Sequence, residues 1–309
     1  MPRDLGIAHF RDFDGNYVTR VYYLWTEADC AFVVNSNEPI PCDVPVPYWV
    51  VISALITAVA VVVGVVVLFV RRRTKLQPAD FSYLSELTMG GLPSTCFVVI
   101  TGNAGSGKSV LLESLAAEHL KEGGSCVYVT NTDFPSKIRE YMTTLGMQEE
   151  TADTGRLAFI DSYSAISGTS AKERLYVSSH TDLTGLGLMI TKCLDELGSG
   201  ADLYLDSVAP LLSSLRASYV LDFLQSTAGK VKANGGKLCV SVGMAVDKGD
   251  IIKLEEAADC IIETEVQESK RGQRRRLRIK KLRGKPHVDK WIRFQIESGK
   301  GIIFFDQRK

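Results

Sequence analysis

The stretch GNAGSGKS, Gly102 to Ser109, sits between an apolar run, FVVIT, and a helix-patterned run, VLLESLAAEHL. No other feature of the 309-residue chain restricts its fold so much. The pattern GxxxxGK[ST] at a strand-to-helix turn is a phosphate-binding loop, and the chemistry needs each part of it. Glycines let the backbone curl around phosphates. Backbone N–H groups of Gly102, Asn103, Ala104, Gly105, Ser106 and Gly107, with those opening the helix as far as Val110, supply donors. Lys108 pairs with the outer phosphates and Ser109 offers a hydroxyl to magnesium, so the expected ligands are ATP and Mg2+.

The runs on either side fit that loop. TCFVVIT, SCVYVT, RLAFIDSY, ADLYLDS and KLCVSVG alternate with helix-patterned stretches, among them PSKIREYMTTLG, Leu183 to Leu197 and Val220 to Ala233. Strands apolar on both sides and separated by helices predict an α/β fold, a mostly parallel sheet with helices on both faces. After Asp259 the rhythm changes to CIIETEV, RRRLRIKKLRG, KWIRFQIES and GIIFFD, with turn signals between them, which predicts an antiparallel extension of the same sheet. Asp206 ends ADLYLD and is expected at the carboxyl edge, holding magnesium together with Ser109.

Charge divides the chain differently. Totals of 36 Lys and Arg against 36 Asp and Glu give no general pull toward a polyanion, and 45% hydrophobic residues exclude a disordered chain. Tyr48 to Val70, however, is uncharged over 23 residues, roughly 35 Å as a helix and enough to cross a bilayer. RRRTK follows directly, whereas residues 1–47 carry three basic and seven acidic groups. The positive flank places the N-terminus outside and the large C-terminal part in the cytoplasm, making a single-pass protein of the cell membrane. The expected organisation is an extracytoplasmic segment (1–47) with a few strands or a hairpin, a transmembrane helix (48–70), a juxtamembrane linker (71–87) and one α/β domain (88–309). Cys30 and Cys42 fall outside, where a disulfide and two free thiols fit the sequence equally; the other five cysteines are expected to pack, and no CxxC pair suggests zinc.

Several motifs together carry a resemblance. MGGLP (Met89 to Pro93), the phosphate loop, YVTNTDFPSKI, YLDSVAPL and KKLRGKPHVDKWIRFQIESGKGIIFF are similar to the RecA-type P-loop ATPases of the KaiC, FlaH and GvpD-like group, over about residues 80–306. The resemblance implies a homo-oligomer, typically a hexameric ring with ATP between subunits, and an archaeal source. It implies that Lys281, Leu282, Arg283 and Gly284 match the strand reaching the neighbour's phosphates, with Lys281 and Arg283 as fingers acting in trans and His287 near the nucleotide. It also places the two water-preparing glutamates of the family at Thr132 and Asp133, so the first acid is lost and the second is one methylene shorter. Slow hydrolysis follows. Glu255 and Glu256 stand where the clock members carry a Ser-Thr pair that accepts phosphate, which argues against kinase cycling.

Read without the resemblance, Asp133 caps the helix starting near Pro135, and the nine basic residues between Arg271 and Lys285 form a solvated β ribbon, a lipid contact or a nucleic-acid patch. Nucleic acid is disfavoured because the loop after KLCVSVG is short. Two functions remain: an ATP-dependent switch or scaffold with a membrane-complex partner, or a working ATPase of a membrane assembly. A DNA-dependent ATPase ranks behind both.

Overall fold

Two apolar, aromatic-rich patches near the N-terminus pair as a hairpin, β1 (Asp4–Arg11) with β2 (Tyr17–Leu24), in antiparallel register from Asp4 opposite Leu24 to Arg11 opposite Tyr17. The computed structural model describes residues 4–11, 15, 17–24, 82–144, 155–269, 272–297 and 301–305. Tyr48 to Val70, read above as a membrane span, lies outside them, as do Cys30, Cys42 and the linker up to Phe81. Among the described residues no helix is long and apolar enough to cross a membrane. Internal contacts divide the chain into Met1–Gly64, which holds the hairpin, and Val65–Lys309.

The larger unit opens with α1 (Ser82–Leu87), so the stretch read as linker ends in a helix; Leu84 and Leu87 bury its inner side. From there the elements are β3 (Phe97–Gly102), α2 (Lys108–Lys121), β4 (Cys126–Thr130), α3 (Pro135–Thr144), β5 (Leu157–Asp161), α4 (Tyr163–Ser167) and α5 (Leu183–Leu197). The chain continues through β6 (Asp202–Asp206), α6 (Ala209–Ser214), α7 (Ala217–Ala233), β7 (Leu238–Gly243) and α8 (Lys248–Ala257). It ends with β8 (Cys260–Ser269), β9 (Gly272–Leu282), β10 (Ile292–Glu297) and β11 (Gly301–Phe304). One sheet of nine strands results, in the order β11-β10-β9-β8-β3-β7-β6-β4-β5. β3 to β8 run parallel, and β8 to β11 pair antiparallel, as the change of rhythm after Asp259 predicts.

Alternation along each strand sends side chains to opposite faces. Val98, Ile100 and Tyr128 pack with Leu111, Leu112, Ala116 and Leu120 of α2 and with Ile138 and Met142 of α3. Phe97, Val99, Val127 and Val129 pack on the other side with Leu186 and Ile190 of α5, Leu211 of α6, Val220 and Leu224 of α7 and Leu254 of α8. Cys96, Cys126, Cys193, Cys239 and Cys260 are buried free thiols, and among the described residues no His, Cys, Asp and Glu group is arranged to hold a metal by itself.

Asp259, at the turn from α8 to β8, pins the sheet's amino edge. It accepts hydrogen bonds from the Phe97 N–H (3.0 Å), Lys232 Nζ (2.7 Å) and Arg283 Nη1 (3.1 Å). These partners hold its carboxyl below the ordinary carboxylate range against the opposing effect of burial. Asp259→Ala is expected to cost about 2 kcal/mol in urea unfolding, because a half-buried cation and a backbone N–H both lose their acceptor; a change within error would show that water replaces it.

Candidate functional site

The phosphate loop is braced by strands far away in sequence. A Cβ on Gly102 would run into the Thr264 carbonyl of β8 and the Ser106 hydroxyl, so the backbones approach closely only because the position is glycine. Ser106 Oγ shares a hydrogen bond with Thr264 Oγ1 at 2.8 Å, and Thr264 donates to the Thr101 carbonyl at 3.0 Å. Gly107 opens α2 at φ 94°, and a Cβ there would sit 3.2 Å from the Phe294 ring of β10. Arg275 of β9 donates through Nε to the Gly105 carbonyl at 2.8 Å, a contact that sequence reading missed within a basic run.

Lys108 lies curled over the loop with Nζ donating to the Asn103 carbonyl at 2.8 Å. Burial pulls its pKa below the ordinary lysine value, and Asp206 opposes this. Ser109 and Val110 follow in the first turn of α2, half-buried at the helix N-terminus, where backbone donors and the helix dipole favour a phosphate.

Asp206 ends β6 opposite Thr130 of β4 and is 1% exposed. Its carboxylate is held by Ser241 Oγ of β7 on one oxygen and by Thr132 Oγ1 on the other at 3.2 Å. The Asp206 carbonyl accepts the Asn131 N–H at 2.6 Å. A buried carboxylate and a serine hydroxyl are hard oxygen donors of the kind that suits magnesium. Ser109 and Asp206 would hold the ion, which when bound supplies positive charge against the phosphates.

Thr132 and Asp133 sit together at the lip of β4, but each is already engaged. Thr132 is committed to Asp206, and Asp133 Oδ1 accepts its neighbour's backbone, the Phe134 N–H, at 2.8 Å, while Tyr141 Oη approaches Oδ2 at 3.5 Å. Asp133 thus folds back on the chain just before α3 rather than capping that helix's inner N–H groups.

The trans-acting candidates lie at the other end of the sheet. Lys281 pairs across β8 with Ile261, and Arg283 bonds Asp259 beside Phe97, at the start of β3. The loop begins at the end of β3, roughly 16 Å away at about 3.3 Å per residue. Neither cation is placed to reach its own loop. Lys281 Nζ donates to the carbonyls of Glu255 and Glu256 at 2.9 and 3.1 Å, where α8 ends. His287 and Gly284 follow at the same end, and the Leu282 side chain is 5% exposed within the core, leaving only its backbone for a ligand.

Part of the basic run is neutralised internally. Arg276 binds Glu265 at 2.7 Å, Arg278 binds Glu263 at 2.7 Å, and Lys280 binds Glu255 at 2.8 Å. Arg276 and Arg278 also flank the Trp291 ring, 4.4 and 4.8 Å from its centre. This is the solvated β ribbon, with its charges paired across strands.

One buried group stands out against this pairing. Glu113, on α2, is 3% exposed, and burial followed by the charges of Asp206 and Asp133 pushes its pKa up to about 8. Tyr128 Oη of β4, also buried, has no hydrogen-bond partner among the described residues and lies within the field of Asp206 and Glu113.

Comparison with known proteins agrees with the geometry. The family model described as the KaiC ATPase matches residues 78–309. UPF0273 proteins of Pyrococcus furiosus and Aeropyrum pernix are 25% and 26% identical, over 73% of this chain in both cases and over 92% and 91% of theirs. The circadian clock protein KaiC3 of Synechocystis is 26% identical over 72% of this chain and 43% of its own length. A solved structure, that of a KaiC-like protein of Pyrococcus horikoshii, shares the fold with a TM-score of 0.60 at 20% identity, covering 75% of this chain and 100% of that one. The family model spans the whole α/β domain: the chain belongs to the KaiC ATPase family.

Proposed function

We propose that the protein is a membrane-anchored, ATP-dependent switch or scaffold that assembles through nucleotide sites between subunits and hydrolyses ATP slowly. The observation that carries slow hydrolysis is at the end of β4: Thr132 is bound to Asp206, and the Asp133 carboxylate is turned onto the Phe134 N–H. Neither side chain is left free there to hold an attacking water. The loop, Lys108, Ser109 and Asp206 remain complete for binding. ATP is therefore held well and broken slowly, and its presence or absence is the signal.

Assembly is supported by the distance between Lys281 or Arg283 and the loop of the same chain. Cations placed there complete a phosphate site only on a neighbour, in a ring of the hexameric kind that the resemblance implies. The anchor is supported by the uncharged run from Tyr48 to Val70 and the RRRTK flank, which would leave the ATP-binding domain in the cytoplasm beside a membrane-complex partner. Paired charges on β9 weigh against nucleic acid as that partner.

The test is ATP binding and turnover by the purified full chain in detergent, over a range of protein concentrations. Lys108→Ala is expected to weaken ATP binding about 100-fold, the loss of one charge-assisted contact to phosphate and its geometry. Parent turnover is expected near the level of that blank. Turnover that climbs steeply with protein concentration and vanishes in Arg283→Ala would replace the switch by a working ATPase.

A further inference from the structure

Glu113 occupies a position where an acid is costly. It lies among Leu111, Leu112, Ala116 and Ala117 on a helix buried on nearly every side, and no hydrogen bond or ion pair reaches it among the described residues. A buried, unpaired carboxylate is strongly disfavoured unless a positive charge or donors compensate it. The nearest charges on the protein, Asp206 of β6 and Asp133 after β4, have the same sign, and Lys108 lies toward Asp206. The protein itself leaves Glu113 uncompensated.

Its place on α2 names what can compensate it. Glu113 follows Ser109 by four residues, so both lie on one face of the helix, and α2 packs on β6, the strand that Asp206 ends. Tyr128 Oη, buried and unpartnered, lies in the same field. The Glu113 carboxyl, 3% exposed, and the unpartnered Tyr128 hydroxyl thus both lie within the field of Asp206. The carboxylates do not converge into a direct cage, and magnesium ordinarily keeps several waters.

We infer that Glu113 is a magnesium-positioning residue of this ATP site, holding the ion's water from beneath, together with Tyr128, while Ser109 and Asp206 face the ion. The inference rests on the ATP reading above. In a site with weakened water-preparing acids, Glu113 makes nucleotide binding depend more steeply on magnesium.

The experiment is binding of a fluorescent ATP analogue to the full chain, titrated with MgCl2 and repeated in EDTA. Glu113→Gln keeps the shape of the neutral acid and is expected to raise the Mg2+ concentration for half-maximal tight binding about tenfold, the usual loss for a group acting through a metal's bound water. Glu113→Leu is expected to give the same shift, and both variants bind the analogue in EDTA as the parent does. An unchanged Mg2+ midpoint in either variant overturns the inference. So does an equal weakening in EDTA, which would mark damage to the loop. A parent chain that binds no analogue with Mg2+, like Lys108→Ala, overturns the ATP reading and this inference with it.

Discussion

The double variant Thr132→Glu, Asp133→Glu is expected to hydrolyse ATP about 100-fold faster than the parent chain, in the range a positioned general base contributes. Asp133 is short enough to close onto the Phe134 N–H, and a glutamate has one more methylene with which to leave that bond and reach toward water beside the loop. Thr132 is exposed at the lip, so a longer side chain there meets solvent, and Asp206 keeps the Ser241 hydroxyl on its other oxygen. Steady-state phosphate release at saturating ATP measures the effect. If the double variant binds ATP as the parent does and turns over no faster, the slow step lies elsewhere and the lost acids are not its cause.

The second large effect concerns stability against pH. In magnesium-free buffer, between about pH 5 and 8, Glu113 alone is expected to lower the unfolding free energy by about 1.4 kcal/mol per pH unit. Burial and two like charges raise its folded-state pKa to about 8, while an unfolded glutamate titrates near about 4.3. Across that interval the folded chain keeps a proton that the unfolded chain releases. The contribution is therefore fully present below the unfolded value and is lost as pH rises through the folded one. Glu113→Gln removes the titration, so its urea midpoints should decline less with pH and exceed the parent's by the widest margin above pH 8. Parallel pH profiles for the two chains would mean that Glu113 is not buried as an acid.

These effects differ in how far they could be read before the fold was known. The α/β sheet was legible because strands such as FVVIT and CVYVT are apolar on both faces, and α5 was bounded by Asp182 and Gly198, a helix start and stop. The phosphate loop was legible because its chemistry is contiguous. α1 was read as linker, since six residues with two buried leucines carry no period. α8 went unread because its apolar positions are few, although Asp247 caps it by accepting the Gly249 N–H at 2.8 Å. Glu113 was hidden by the ordinary expectation that a glutamate among leucines faces water. Arg275 was hidden because its contact, the Gly105 carbonyl, lies 170 residues away and exists only once β9 has crossed beside the loop.

The sheet also gives the domain a direction. Arg283 is fastened at the start of β3 and the phosphate loop stands at its end. In the assembly proposed above, a two-fold axis would serve both loops only if the β3 strands of the two copies ran in opposite directions. Where the sheets of neighbouring copies run the same way, the proposed site would need an operation that carries the Arg283 end of one copy onto the loop end of the next, and repeating it either closes a circle or continues as a filament. An open row of that kind would always have one loop that no partner serves, whereas a closed ring would let every copy both lend its arginine and receive one.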